Sequence, residues 1–165
     1  MLRSLLTFFI FSIACATIGS AQATVVVKPS SLQGPRPLQE QTAAGAIRDY
    51  LQSWKDLRIA MEQNRPDVLD STFVGNAKDK LMETIQQQAK LGIHTSYQDR
   101  AHEIQIVFYS PEGLSIELTD KVEYDVQVVD RGWVKTIQHV SARYVIVLTP
   151  AEVRWRVRVF QAVSE

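Results

Sequence analysis

The 165-residue chain carries 18 Lys and Arg against 18 Asp and Glu, with 45% hydrophobic and 22% charged residues. That length suits one domain, and zero formal charge with this apolar content excludes a disordered chain and a bulk polyanion binder. A single unbroken apolar run, at the N-terminus, excludes a multi-span membrane protein.

Residues 1–23 have the pattern of a secretory signal peptide. Arg3 is the only charge before Lys28, Leu5 to Ala16 is mostly apolar, and Gly19-Ser20-Ala21-Gln22-Ala23 offers small residues for cleavage after Ala21 or Ala23. The alternatives are an uncleaved anchor or a buried first helix, but the run falls short of the roughly 20 apolar residues of a membrane-spanning helix. Cys15 is the only cysteine. Ser12 stands where a lipoprotein box takes a leucine-like residue, so lipidation at Cys15 is not expected. Cleavage near Ala23 predicts a secreted or periplasmic protein with no stable membrane span. It also removes the only thiol, and with it any disulfide, thiolate nucleophile or cysteine metal site. The 18 basic residues less Arg3 leave 17 against 18 acidic, a net charge of −1.

Residues 24–41 hold Pro29, Pro35, Pro37, Ser30, Ser31 and Gly34 and show no period after Val27, which predicts a flexible linker. The domain proper is expected over 42–165. Ile47, Tyr50, Leu51, Trp54, Leu57 and Met61 recur at helical spacing, with Thr42 placed to cap the start and Asn64 to stop the helix before Arg65-Pro66. A short second helix follows, with Pro66 in its first turn and Val68, Leu69 and Phe73 on one side, broken by Gly75. A third runs from about Asn76 to Leu91 on a stripe of Leu81, Met82, Ile85 and Ala89, stopped by Gly92. Gln86, Gln87 and Gln88 read as solvated.

The period then falls to 2. Ile104, Ile106 and Phe108 define one strand, and Ile116, Leu118, Val122, Tyr124, Val126 and Val128 a second. Trp133 to Leu148 is a third, and Val153, Trp155, Val157 and Val159 a fourth, joined by the turns at Pro111-Glu112-Gly113, Asp130-Arg131-Gly132 and Pro150-Ala151-Glu152. Short connections make an antiparallel meander. The expected architecture is α+β: three N-terminal helices packed on a strongly curved four-stranded antiparallel sheet.

Ala46-Ile47-x-x-Tyr50-Leu51-x-x-Trp54, Asp67-x-Leu69, Tyr144-Val145-Ile146-Val147-Leu148 and Trp155-Arg156-Val157, in this order, resemble the nuclear transport factor 2-like superfamily, the cystatin-like cone fold. These are packing motifs, informative about fold and nearly silent about chemistry. In its SnoaL-like branch, the ketosteroid-isomerase and polyketide-cyclase relatives, a hairpin often bearing an acidic base follows the second helix. Here the helix at 76–91 occupies that place. The layout around Trp54, Leu69 to Phe73 and Leu81 to Gly92 resembles more the inner-membrane-space domain of plastid-division proteins. That resemblance implies a non-catalytic, partner-binding domain.

The cone fold implies an apolar pocket, which Tyr50, Trp54, Tyr124, Tyr144 and Trp155 can line. An isomerase-like site needs a carboxylate base and a donor to an enolate oxygen, with Tyr50 as donor and Asp99 or Asp125 as base. The plainer reading makes Tyr50 a core aromatic and both aspartates solvated. His94, His102 and His139 show no ligand spacing, so no metal and no cofactor are expected. There is no Gly-x-Ser-x-Gly elbow and no phosphate-cradling glycine loop. Arg154, Arg156 and Arg158 form either an anion patch or, more simply, a ladder against Glu117, Glu123 or Asp125. The charge balance speaks against nucleic acid. Homodimerisation through the sheet face would use Tyr109, Val129, Val145 or Val147.

The sequence therefore predicts an exported, non-enzymatic binding or protein-interaction module for an unknown protein partner or a small apolar ligand. The alternative is a small-molecule-binding isomerase- or cyclase-like enzyme using the cone. A domain of a larger envelope assembly, tethered by the linker, is a third reading.

Overall fold

Helix α1, Glu40–Gln63, is set by a stripe in which every third or fourth residue is buried: Ala46, Tyr50, Trp54, Leu57 and Met61. It starts two residues before Thr42, and its N-cap, Gln39, makes no side-chain cap bond. It ends at Asn64, whose left-handed backbone (φ 52°) closes the helix while Nδ2 donates to the Ile93 carbonyl at 2.9 Å. The short second helix is a single 3-10 segment, Pro66–Ser71, with Leu69 fully buried. Helix α2, Gly75–Lys90, packs Ala77 and Ile85 inward, while Ala89, expected on that stripe, is exposed. Its inward position is taken by Gln88, which is buried rather than solvated.

The computed structural model describes residues 22–32 and 36–163. The expected leader, with Cys15, lies outside the described residues up to Ala21. Among the described residues, no helix is long and apolar enough to cross a membrane.

The sheet has five strands rather than four. Strand β1, Thr24–Val27, comes from the segment expected to be linker. It pairs in parallel with Ala101 to Ile104 of β2, Ile93–Tyr109. Valines 25–27 are the reason: a β-branched run of this kind favours a strand whatever follows it. Lys28 ties the segment down further through a 2.5 Å ion pair to Glu103. The remaining strands, β3 Ile116–Asp130, β4 Trp133–Pro150 and β5 Trp155–Val163, continue the expected antiparallel meander in the order β1-β2-β3-β4-β5. The sheet is therefore mixed, with one parallel edge.

Bulges reset which residues face the helices. One at Arg100 lies between the pairs Asp99–Tyr124 and Ala101–Glu123, and another at Val107 separates Ile106–Leu118 from Phe108–Glu117. The second turns Tyr109 into the core and Phe108 outward, reversing the parity read from sequence. Tyr109 is thus unavailable to a sheet-face dimer. Val129 is buried as well, paired with His94 and Val134 on its flanking strands, whereas Val145 and Val147 are half-buried. A further bulge at Arg158 sends Val159 outward and lets Phe160 join the core. Because β5 pairs with β4 and not β3, the arginines at 154, 156 and 158 are not cross-strand neighbours of Glu117, Glu123 or Asp125. Asp125 instead meets Arg100 and His139.

Candidate binding cleft

The bulge at Arg100 has a chemical consequence. It brings Asp99 and His102 to the same face of β2, although they are three residues apart and a regular strand would put them on opposite faces. Both are buried, at 7% and 2% exposure. Across the strand pair lies Asp120 of β3, fully buried.

Asp120 is saturated. Its Oδ2 accepts from Tyr50 Oη at 2.8 Å and lies 2.7 Å from His102 Nδ1, and its Oδ1 accepts from the Glu103 backbone N–H at 3.0 Å. Trp54 Nε1 in turn donates to Tyr50 Oη at 2.7 Å. On the far side of His102, Nε2 lies 3.8 Å from Asp99 Oδ2, which Arg58 Nη1 also approaches at 3.2 Å. Burial pushes the His102 imidazole down, but Asp120 and Asp99 outweigh it and raise its pKa to about 9. His102 is therefore a buried cation between two carboxylates. Tyr50 is raised well above the ordinary phenol by burial and by the Asp120 charge. Burial, with Tyr124 beside it, pushes Tyr97 up to about 12.

Four of the five expected pocket-lining aromatics gather around this network. Tyr50 is fully buried. Trp54 meets His102, Tyr124 and Tyr144 at centroid distances of 5.3, 6.0 and 5.6 Å, and the Tyr124 and Tyr144 hydroxyls are 3.2 Å apart. Trp155 lies elsewhere. It borders a groove beside the start of α1, where its backbone N–H donates to Asp49 at 2.9 Å. Of the two expected bases, Asp99 is buried and Asp125 is held by Arg100 and His139, so neither is freely solvated. Sequence reasoning missed Asp120 and the role of His102. Even parity along β3, from Leu118 to Val122, places Asp120 inward and was the available signal.

A cleft of about 740 Å³ opens between α1 and the first half of β2, lined by Leu51, Trp54, Lys55, Arg58, Tyr97, Asp99 and His102 together with Val25 and with Gln22 and Ala23, which cleavage after Ala23, unlike cleavage after Ala21, would remove. Asp99 Oδ1 is buried there and has no hydrogen-bond partner among the described residues.

No family model matches the chain, and no curated protein matches it in sequence. Solved structures do. The intermembrane space region of the chloroplast protein ARC6 superposes with a TM-score of 0.63 at 13% identity, covering 79% of this chain and 100% of that one. A scytalone dehydratase-like protein of Novosphingobium aromaticivorans superposes at 0.53 and 13% identity, covering 76% and 89%. At such identity the likeness shows the fold alone. The fold the chain shares with these structures is α+β, with helices packed on a mixed five-stranded sheet.

Proposed function

We propose that the protein is an exported, non-enzymatic binding module whose ligand enters the cleft between α1 and β2. The observation that carries this reading is the contrast between two neighbouring carboxylates. Asp120, at the centre of the buried network, has both oxygens occupied and is sealed from solvent. Asp99, at the cleft, keeps one oxygen without a partner among the described residues. A general base works best with a pKa near the operating pH and within reach of its substrate. A histidine protonated up to about pH 9 and held between two anions does not meet the first need. The cleft volume falls in the usual range for small-ligand sites, and its walls set Trp54, Tyr97 and Leu51 among a larger number of polar and charged groups. Export rests on the leader pattern of residues 1–23 and is checked by N-terminal sequencing of the secreted protein.

The test of binding is a fragment screen followed by protein NMR. The expected shifts cluster at the Trp54 indole, Tyr97 and His102, with no product formed. Shifts confined to other surfaces would contradict the assignment.

The alternative, an isomerase- or cyclase-like enzyme, is favoured by one observation, namely that His102 and Asp99 both border the cleft. Turnover of a ketosteroid- or polyketide-type substrate, abolished by Asp99→Asn, would establish it and overturn the binding reading.

A further inference from the structure

The two ends of the cleft make different demands, and together they specify a ligand class. Lys55 and Arg58 stand one helical turn apart on α1, and Asp99 is the one acidic side chain among the lining residues. Arg58 is held by Asp99, whereas Lys55 is exposed and has no ion-pair partner among the described residues. At the floor the need is the reverse. Asp99 Oδ1, on a side chain only 6% exposed, has no donor among the described residues, and leaving a buried carboxylate oxygen unpaired is costly. Between floor and rim stand Trp54, Leu51 and Tyr97, which offer flat apolar surface.

We propose that the cleft takes a compact aromatic or alicyclic carboxylic acid bearing a hydroxyl group: the hydroxyl donates to Asp99, the ring lies against Trp54 and Tyr97, and the carboxylate pairs with Lys55. This deepens the binding-module reading and rests on it. In place of the carboxylate an amine is disfavoured, since its ammonium would face Lys55. A simple hydrocarbon leaves both polar ends unanswered.

Titration calorimetry of the full secreted protein with 4-hydroxyphenylacetate and the longer 4-hydroxycinnamate tests the class. Each is compared with an analogue lacking one end, phenylacetate or 4-methylphenol, and with the amine tyramine. A charge-assisted hydrogen bond gained or lost changes affinity by about tenfold or more. The hydroxy acid is expected to bind about tenfold tighter than either truncated analogue. Lys55→Met should erase the advantage over 4-methylphenol, and Asp99→Asn the advantage over phenylacetate. Lys55 is exposed, so its variant is informative even if Asp99→Asn fails to fold. Equal binding of the hydroxy acid and its truncated analogues, or tighter binding of tyramine, would overturn the proposal. If none of these acids binds while other fragments occupy the cleft, the ligand class falls and the binding module stands. If nothing occupies the cleft, both fall.

Discussion

Asp120 Oδ2 and His102 Nδ1 lie 2.7 Å apart across the β2–β3 pair, both buried, and this contact organises the interior between α1 and the sheet. Around it α1 contributes Tyr50 and Trp54, and the backbone of β2 contributes the Glu103 N–H. A helix and two strands are thus fixed to one carboxylate. Buried charges of this kind persist only when paired and hydrogen-bonded on every side.

Removing the carboxylate charge should therefore be severe. Asp120→Asn leaves His102 with Asp99 as its remaining anion and returns an amide donor toward the Tyr50 hydroxyl. The expected cost is about 3–5 kcal/mol, the usual range for breaking a buried ion pair from one side, read from urea midpoints. Adding His102→Gln should recover part of that loss, because the uncompensated cation is gone. Strictly additive losses would mean that the two side chains do not act as a pair.

Tyr50→Phe removes one hydroxyl and thereby two hydrogen bonds, leaving the buried Trp54 N–H without an acceptor. A loss of about 1–3 kcal/mol is expected, with ligand binding in the cleft retained. If stability were unchanged and binding or turnover lost, the hydroxyl would be a functional group and not a structural one.

The sequence carried the order of elements well, because helical and alternating periods are long here and two of the three strand turns are marked by glycine, at Gly113 and Gly132. Asn64 and Gly92 were legible as stops, and both adopt the left-handed backbone, at φ 52° and 70°. What it hid was the effect of the bulges. Counting back from Ile104 by twos puts Arg100 inward; the bulge sends Arg100 out to Asp125 and keeps Asp99 in. Bulges at Val107 and Arg158 misplaced Tyr109 and Val159 in the same way. β1 was hidden for a different reason: four residues are too few to show a period, and their partner is a strand some 75 residues later, a separation local pattern cannot reveal.

Gln88 illustrates a polar residue that pattern alone assigns to solvent. Its Nε2 donates to the Met61 carbonyl and to Asn64 Oδ1, both at 2.6 Å, and its Oε1 accepts from Thr95 Oγ1 at 2.8 Å. It joins the end of α1 to α2 and β2. Gln88→Ala is expected to destabilise by about 2–3 kcal/mol through the partners left unsatisfied, whereas Gln86→Ala, on the exposed side, should stay within about 0.5 kcal/mol. Equal effects in denaturation would refute the clamp.

The buried cation also makes stability depend on pH. The folded pKa of His102, about 9, lies above the unfolded value of about 6.5, so the native state binds the extra proton between those limits. Its contribution is full below about pH 6.5, declines as pH rises through the interval, and is lost above about 9. The wild type should lose on the order of 2 kcal/mol relative to His102→Gln across that range, measured as the difference between their unfolding free energies. A flat difference would contradict the assignment.

The most direct measurement is an NMR titration of the His102 ring nitrogens. A protonated imidazolium through neutral pH, titrating near 9, is the predicted result, and it leaves the residue unfit as a general base. A neutral ring at pH 7 with a single protonated nitrogen, titrating close to neutrality, would contradict it and return the cleft to acid–base catalysis.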